Sequence, residues 1–140
     1  PDRYLAQECR PRLVVPVKPS LQIQQSERAI DLLAPTAGDD PDALIALGNA
    51  YTLAGRTGDA IAAFTRLLAI DPSNALAFEN IGAAELRAGN VAAAEQSLRR
   101  ALALDPNLAG AHTALGVALA ATGRRNEAID AWKRAIALDP

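Results

Sequence analysis

Apolar side chains between Pro41 and Pro140 return to the same positions three times, at a constant spacing of 34 residues. The recurring positions hold Leu44, Leu47, Gly48, Tyr51, Ala60, Phe64 and Pro72, then Phe78, Ile81, Gly82, Glu85, Ala94, Leu98 and Pro106, then His112, Leu115, Gly116, Leu119, Ala128, Trp132 and Pro140. Spacings of three and four residues within each copy are typical of helices with one buried side. The fixed period predicts a stack of similar helical units.

Each unit is predicted to contain two helices joined by a tight turn. The first helices span roughly 41–54, 75–88 and 109–122, and the second helices span roughly 58–70, 91–104 and 126–138. A glycine follows each first helix, where a left-handed residue ends a helix at little cost. An Asp-Pro pair follows each second helix, because proline cannot continue the helical hydrogen bonds. These terminators are Gly55, Gly89 and Gly123, and Asp71-Pro72, Asp105-Pro106 and Asp139-Pro140.

One glycine also lies inside each first helix, at Gly48, Gly82 and Gly116. A glycine in a helix interior costs about 1 kcal/mol relative to alanine, so its return in every unit requires a reason. The predicted reason is close approach of the two helices of each unit. The residues expected opposite these glycines are Ala60, Ala94 and Ala128.

The segment before the repeating units is different in kind. Four prolines within residues 1–20 predict an extended chain, and its apolar run Leu13–Val17 is expected to pack along the stack or in a binding groove. Residues 21–34 are predicted to form a capping helix with Ser20 as its N-cap and with Ile23, Ile30 and Leu33 on one side. The chain thus divides into 1–20, a capping helix with its linker at 21–38, and three units at 41–74, 75–108 and 109–140.

The period and the W-x2-L-G-x2-Y…A-x3-F…P skeleton resemble the tetratricopeptide repeat. Three positions depart from that skeleton, since Glu85 and Leu119 stand where tyrosine is usual and His112 stands where tryptophan is usual. The resemblance implies an all-α, right-handed superhelical solenoid of helix-turn-helix repeats with an N-terminal capping helix. It also implies a protein-interaction module and not an enzyme, with a partner protein or peptide bound in the concave groove along the first helices.

Candidate groove residues lie on the first helices outside the core positions. They are Ile45, Asn49, Thr52, Leu76, Glu79, Asn80, Ala83, Leu86, Arg87, Gly110, Thr113, Val117 and Ala120. Some members of the family hold the C-terminal carboxylate of chaperones with two asparagines and several cations. Asn49 and Asn80 match the asparagines, but the cation positions hold Ile45, Gly110 and Ala114, so chaperone-tail binding is not expected.

Composition and candidate chemistry narrow the function further. The net charge of −2 and a pI near 5.3 do not favour nucleic acid, and no apolar run is long enough to insert into a membrane. No spacing of residues suggests a metal site, a cofactor site or a catalytic set. His112 is expected to be a packed core residue, and Cys9 has no histidine near it in the chain. Four acidic residues are expected on different faces, namely Glu79, Glu85, Glu95 and Glu127.

Two further surfaces are predicted. A row of basic residues on the second helices is expected to face solvent on the convex ridge, with an acidic partner as the alternative; it holds Arg66, Arg99, Arg100, Lys133 and Arg134. The last helix is expected to expose Ile129, Trp132 and Ile136 at the end of the stack, which predicts a homodimer. Two alternatives to groove binding therefore remain, a homo-oligomerising scaffold and a docking segment of a larger bacterial enzyme.

Overall fold

The computed structural model describes residues 20–140, and this part of the chain consists of seven α-helices without a β-strand. The helices are α1 (Leu21–Leu33), α2 (Pro41–Leu53), α3 (Thr57–Ile70), α4 (Ala75–Arg87), α5 (Val91–Leu104), α6 (Ala109–Ala121) and α7 (Arg125–Leu138). The all-α prediction is confirmed, and each predicted helix end is met within one residue. The predictions for Cys9 and for Leu13–Val17 lie outside the described residues.

Side chains that accept hydrogen bonds from free backbone N–H groups cap the starts of α1, α2 and α4. The Ser20 hydroxyl accepts a hydrogen bond from the Ile23 amide at 3.4 Å, which confirms the predicted start of α1. The side chain of Asp40 caps α2 in the same way, and the Asn74 side chain accepts from the Ala77 amide at 3.0 Å to cap α4.

The turns inside the three units are alike because each uses a left-handed glycine. Gly55, Gly89 and Gly123 have φ values of +77°, +83° and +80°. The residue after each glycine donates its amide back to a carbonyl near the helix end, as from Arg56 to Tyr51 at 2.8 Å. This arrangement satisfies carbonyls that the helix itself leaves free. The chain reverses there, and the second helix packs against the first.

The closest approach of the two helices in each unit lies at the predicted glycines, and the nearest side chain there belongs to a residue one turn after the expected alanine. A Cβ on Gly48 would lie 2.5 Å from the Phe64 ring, and a Cβ on Gly82 would lie 2.6 Å from Cγ of Leu98. Trp132 takes the same place over Gly116. The expected alanines precede these residues by four positions. Helical side chains lean toward the N-terminus, so the longer side chain one turn later reaches back over the glycine.

The core runs through neighbouring units and is not closed within any of them. One buried cluster joins Leu44 of α2, Phe64 and Leu67 of α3, and Ile81 of α4. Another joins Leu98 of α5 to helices α6 and α7. Helices adjacent in sequence pack together throughout, and the first helices α4 and α6 also contact one another. The described residues thus form a helical-repeat solenoid in which each unit covers the next. None of its helices has the length and apolarity needed to cross a membrane.

Candidate functional site

The first helices carry one outward-facing row of side chains each, which we call the outer stripe. Positions four, seven and eleven residues after the first share one side of an α-helix. These residues lie opposite the buried side and are exposed or half-buried; they are Asp42, Ala46, Asn49 and Leu53 on α2, Leu76, Asn80, Ala83 and Arg87 on α4, and Gly110, Ala114, Val117 and Ala121 on α6.

The outer stripe overlaps the residues predicted from the sequence and extends beyond them. Asn49, Leu76, Asn80, Ala83 and Arg87 were expected there, as were Gly110 and Val117. Leu53, which was not predicted, is exposed at the end of α2. Leu53 can be found from the sequence in two steps. It lies eleven residues after Asp42 on the same side of α2, and it corresponds to Arg87 and Ala121 in the other units at the 34-residue period. Among the apolar residues of the outer stripe, Leu76 is the most exposed at 59%, and Val117 is 47% exposed.

Several predicted groove residues are held by contacts inside the protein. Ile45 packs against the cluster around Leu44, and Leu86 packs against the cluster around Leu115, so neither presents a free apolar side chain. The Thr52 hydroxyl donates to the Gly48 carbonyl at 2.8 Å.

Two more predicted groove residues take part in local hydrogen bonds. The Arg87 guanidinium donates to the Thr52 carbonyl at 3.2 Å, which joins the ends of α4 and α2. The Thr113 hydroxyl donates to the Ala109 carbonyl at 3.0 Å, and Ala120 is an exposed residue beside the stripe on α6. These contacts leave the amides and the apolar stripe residues as the groups available to a partner.

The two predicted asparagines differ in exposure but share one property. Asn49 is exposed and Asn80 is half-buried, and within the described residues neither side chain has a hydrogen-bonding partner. Each amide offers both donors and an acceptor. They therefore present unused hydrogen-bonding groups on neighbouring first helices.

Glu79 is the acidic residue beside this surface. Its carboxylate lies against Gly110 of the next first helix, at a place where any side chain on residue 110 would collide with it. Burial raises the pKa of Glu79, and the nearby carboxylate of Asp105 raises it further. Glu79 thus carries a partly desolvated charge where α4 and α6 meet.

The end of the stack exposes two of the three residues predicted there. Ile129 and Ile136 are 45% and 64% exposed on α7. Trp132 differs, because its ring lies over Gly116 and its indole N–H donates to the Thr113 carbonyl at 3.2 Å. It takes the place that Phe64 and Leu98 take in the earlier units, between the two helices of its unit.

The second helices contain an ion-pair cluster that was not predicted from the sequence. Arg99 pairs with Glu95 at 2.9 Å and approaches Glu127 at 4.0 Å, while Arg124 pairs with both acids. The expectation that Glu95 and Glu127 lie on different faces is therefore wrong. Stacking places α5 beside the start of α7, and the two arginines connect them. The hydrogen bond from Arg124, more than any other contact, holds the pKa of Glu95 below its usual range.

The basic row on the second helices is exposed, but three of its members also make internal contacts. Arg66 pairs with Asp39 at 3.5 Å, Arg99 belongs to the ion-pair cluster, and the Arg100 guanidinium lies 5.4 Å from the centroid of the Phe78 ring. Lys133 and Arg134 make no such contact with any of residues 20–140. The row is thus a set of local contacts more than one continuous binding surface.

The groups with potential chemistry are few in the described part of the chain. His112 is buried, and its Nε2 donates to the Pro106 carbonyl at 2.8 Å, as expected of a packed core residue. Residues 20–140 hold no group of three or more histidine, cysteine, aspartate or glutamate side chains suited to a metal ion.

Comparison with known proteins agrees with this architecture. A model of the TPR repeat matches residues 48–89, and models of the tetratricopeptide repeat match residues 75–108 and 109–140. A crystal structure of MamA superposes with a TM-score of 0.69 at 27% identity, covering 84% of this chain and 67% of that one. A second MamA structure gives 0.75 at 27% identity, with 84% and 66% covered.

The chain spans about two thirds of the length of these two MamA chains. A search of curated proteins found no match.

Proposed function

Because this chain belongs to the tetratricopeptide repeat family and is a protein–protein interaction module, we propose that it binds an extended or helical segment of a partner protein along the outer stripe. The stripe runs over three consecutive first helices. Extended peptides and amphipathic helices are the two secondary structures that such surfaces recognise by side-chain pockets and main-chain hydrogen bonds.

The observation that carries this proposal is the pairing of free amides with exposed apolar side chains. Asn49 and Asn80 are available to hydrogen-bond the main chain of a partner, while Leu53, Leu76 and Val117 offer apolar contact on either side. The absence of cations at Ile45, Gly110 and Ala114 argues against a terminal carboxylate as the bound group.

The test begins with a partner captured on the full chain from its native lysate and then bound to purified variants. We expect Asn49→Ala with Asn80→Ala to weaken binding by about 1–3 kcal/mol, the free energy of lost buried hydrogen bonds. Gln96→Ala with Asn126→Ala is the matched control, because it removes two exposed amides from the second helices. Unchanged binding by the first pair, or a larger loss from the control pair, would reject the outer stripe as the site.

Self-association through the end of the stack is a second candidate function. Position by position, Leu68 and Leu102 correspond to Ile136 at a spacing of 34 residues, and both pack against core clusters that include the following first helix. Ile61 corresponds likewise to Ile129. In unit three these two positions are uncovered. An apolar patch of this kind favours pairing with a second copy, and a self-complementary pair closes as a dimer.

A further inference from the structure

The second helices α5 and α7 enclose a cleft of about 630 Å³ in unit three. Its lining includes Leu102 of α5, His112, Leu115 and Leu119 of α6, and Ala131 and Arg134 of α7. The three α6 residues lie on the side of that helix opposite the outer stripe, since they are offset from it by about half a turn. The cleft is therefore separate from the surface proposed above.

Unit two shows how the same position is filled from within the protein. There the Phe78 ring corresponds to His112, and the Arg100 guanidinium lies over it at 5.4 Å from the ring centroid. The Ser97 hydroxyl donates to the Glu85 carboxylate at 2.8 Å and so ties α5 to α4. Glu85 and Ser97 correspond to Leu119 and Ala131, which line the cleft of unit three. An aromatic ring, a cation and a hydrogen bond between helices thus occupy this place.

Unit three replaces the ring and the hydrogen-bonded pair with smaller or apolar groups and keeps the cation. His112 is smaller than phenylalanine, and its Nε2 is engaged by the Pro106 carbonyl at 2.8 Å. Leu119 and Ala131 replace the hydrogen-bonded pair, which makes this part of the cleft apolar.

The cation of unit three is Arg134, and its contacts differ from those of the equivalent arginines. Arg134 corresponds to Arg100, which covers a ring, and to Arg66, which pairs with Asp39. Among residues 20–140 Arg134 itself has neither an ion pair nor a ring contact. Arg134 lines the cleft, as do the charged residues Arg99, Glu127 and Asp130. The corresponding arginine of unit two stacks on an aromatic ring.

We propose that this cleft receives a phenylalanine or tyrosine side chain of a partner protein, which lies under Arg134 as Phe78 lies under Arg100. The ring would contact Leu115 and Leu119, and its face would meet the guanidinium in a cation–π contact. The protein would then contact partners on both sides of α6, with the outer stripe on one side and a single aromatic anchor on the other.

Capped Gly-Phe-Gly and Gly-Leu-Gly tripeptides are suitable probes, titrated into the full chain and followed by ¹H–¹⁵N NMR. We expect the phenylalanine peptide to shift the signals of His112, Leu119 and Arg134, and to bind about two- to fivefold more tightly than the leucine peptide, the ratio that an exposed cation–π contact gives. Equal binding of the two peptides, or shifts centred on the outer stripe, would overturn the proposal.

Two variants test the geometry. His112→Phe fills the cleft with the residue that unit two already accommodates, so the chain should stay folded while the peptide shifts disappear. Arg134→Gln should weaken the phenylalanine peptide about two- to fivefold. Arg125→Gln removes an exposed arginine from the start of the same helix and should change nothing. If His112→Phe disturbs the fold, the affinities of the Arg134→Gln and Arg125→Gln proteins for the phenylalanine peptide provide the test. Equal affinities of these two variants would refute the proposed site.

The experiments must also distinguish a partner protein from a second copy of this chain as the source of the aromatic ring in the cleft. Tyr4, which lies outside the described residues, is the side chain to replace. If sedimentation shows a self-associated chain that Tyr4→Ala and His112→Phe each return to monomer, the ring comes from this chain and the partner-protein proposal fails. A self-association state unchanged by Tyr4→Ala, together with peptide binding at the cleft, supports the partner protein.

Discussion

Replacement of Gly82 by valine tests the packing on which the whole stack depends. A Cβ at this position would lie 2.6 Å from Cγ and 2.9 Å from Cδ2 of Leu98, whereas carbon atoms in contact prefer about 3.5–4.0 Å. Leu98 is fully buried, and the carbonyl of Ala94 lies 3.3 Å away on the same side. The helices α4 and α5 must therefore separate, or Leu98 must leave its preferred conformation.

The expected cost follows from this geometry. Overpacking of a filled core destabilises proteins by about 1–3 kcal/mol, and the better helix propensity of valine recovers only about 0.5 kcal/mol. Gly58 is the matched control, because it lies in the first turn of α3 and a Cβ there would meet nothing within 4 Å. Gly58→Val should therefore leave the free energy of unfolding nearly unchanged or raise it slightly.

Urea denaturation followed by circular dichroism measures both variants. A third variant separates packing from other causes, because Leu98→Ala removes the side chain that the new valine meets. In that background we expect the additional cost of Gly82→Val to fall by about 1 kcal/mol or more, as for residues in direct contact. A stable Gly82→Val protein, or a cost that is the same with Leu98 and with alanine at that position, would refute the close-approach explanation.

Three other predictions follow from the contacts described. Glu95→Gln should lower stability at neutral pH and lose that effect in acid, because a carboxylate with a lowered pKa stabilises the fold above the ordinary glutamate pKa of about 4.3 and ceases to do so as pH falls through its folded value. Glu79→Gln should do the opposite and raise stability at neutral pH, with the gain lost in acid, because its pKa is raised mainly by burial. Thermal melts between about pH 3 and pH 8 decide both, and parallel profiles for the two variants would contradict the assigned shifts. Ile136→Glu should convert a dimer to a monomer in sedimentation experiments, while a parent chain that stays monomeric at high concentration would exclude pairing through this end.

Much of the fold was predictable because its determinants are local. Gly55, Gly89 and Gly123 end the first helices through their own backbone freedom, and proline ends the second helices through its missing N–H. These rules act within a few residues of the chain and require no knowledge of how helices cross. The 34-residue period then extends one correctly placed unit to the other two.

What the sequence left undetermined depends on directions between helices. The alanine expected opposite Gly82 and the leucine observed there lie one turn apart on the same helix side, and only the lean of the side chain separates them. Arg124 and Glu95 lie 29 residues apart, and no pattern within either helix indicates that they meet. Trp132 was expected on the end face beside Ile136 from helical spacing alone. The lean of its side chain instead brings the ring over Gly116.

The outer stripe posed a different problem, because exposure alone does not distinguish a binding residue from a solvated one. Comparison of equivalent positions among the three units helps to distinguish them, since each unit packs its two helices in the same way. Where packing leaves room for a small side chain only, the residue does not vary, as at the fully buried Ala60, Ala94 and Ala128. Asn49 corresponds to Ala83 in unit two and to Val117 in unit three, although all three residues lie on the same side of a first helix.

The position of Phe78 and His112 varies in the same way on the opposite side of the first helices. Packing alone accounts for part of such variation, since Phe64, Leu98 and Trp132 differ although each packs over the glycine of its own unit. A partner that extends across several units meets each of them at a different point along its own length, and therefore requires such differences. Variation between equivalent positions is thus a feature that the outer stripe and the cleft share.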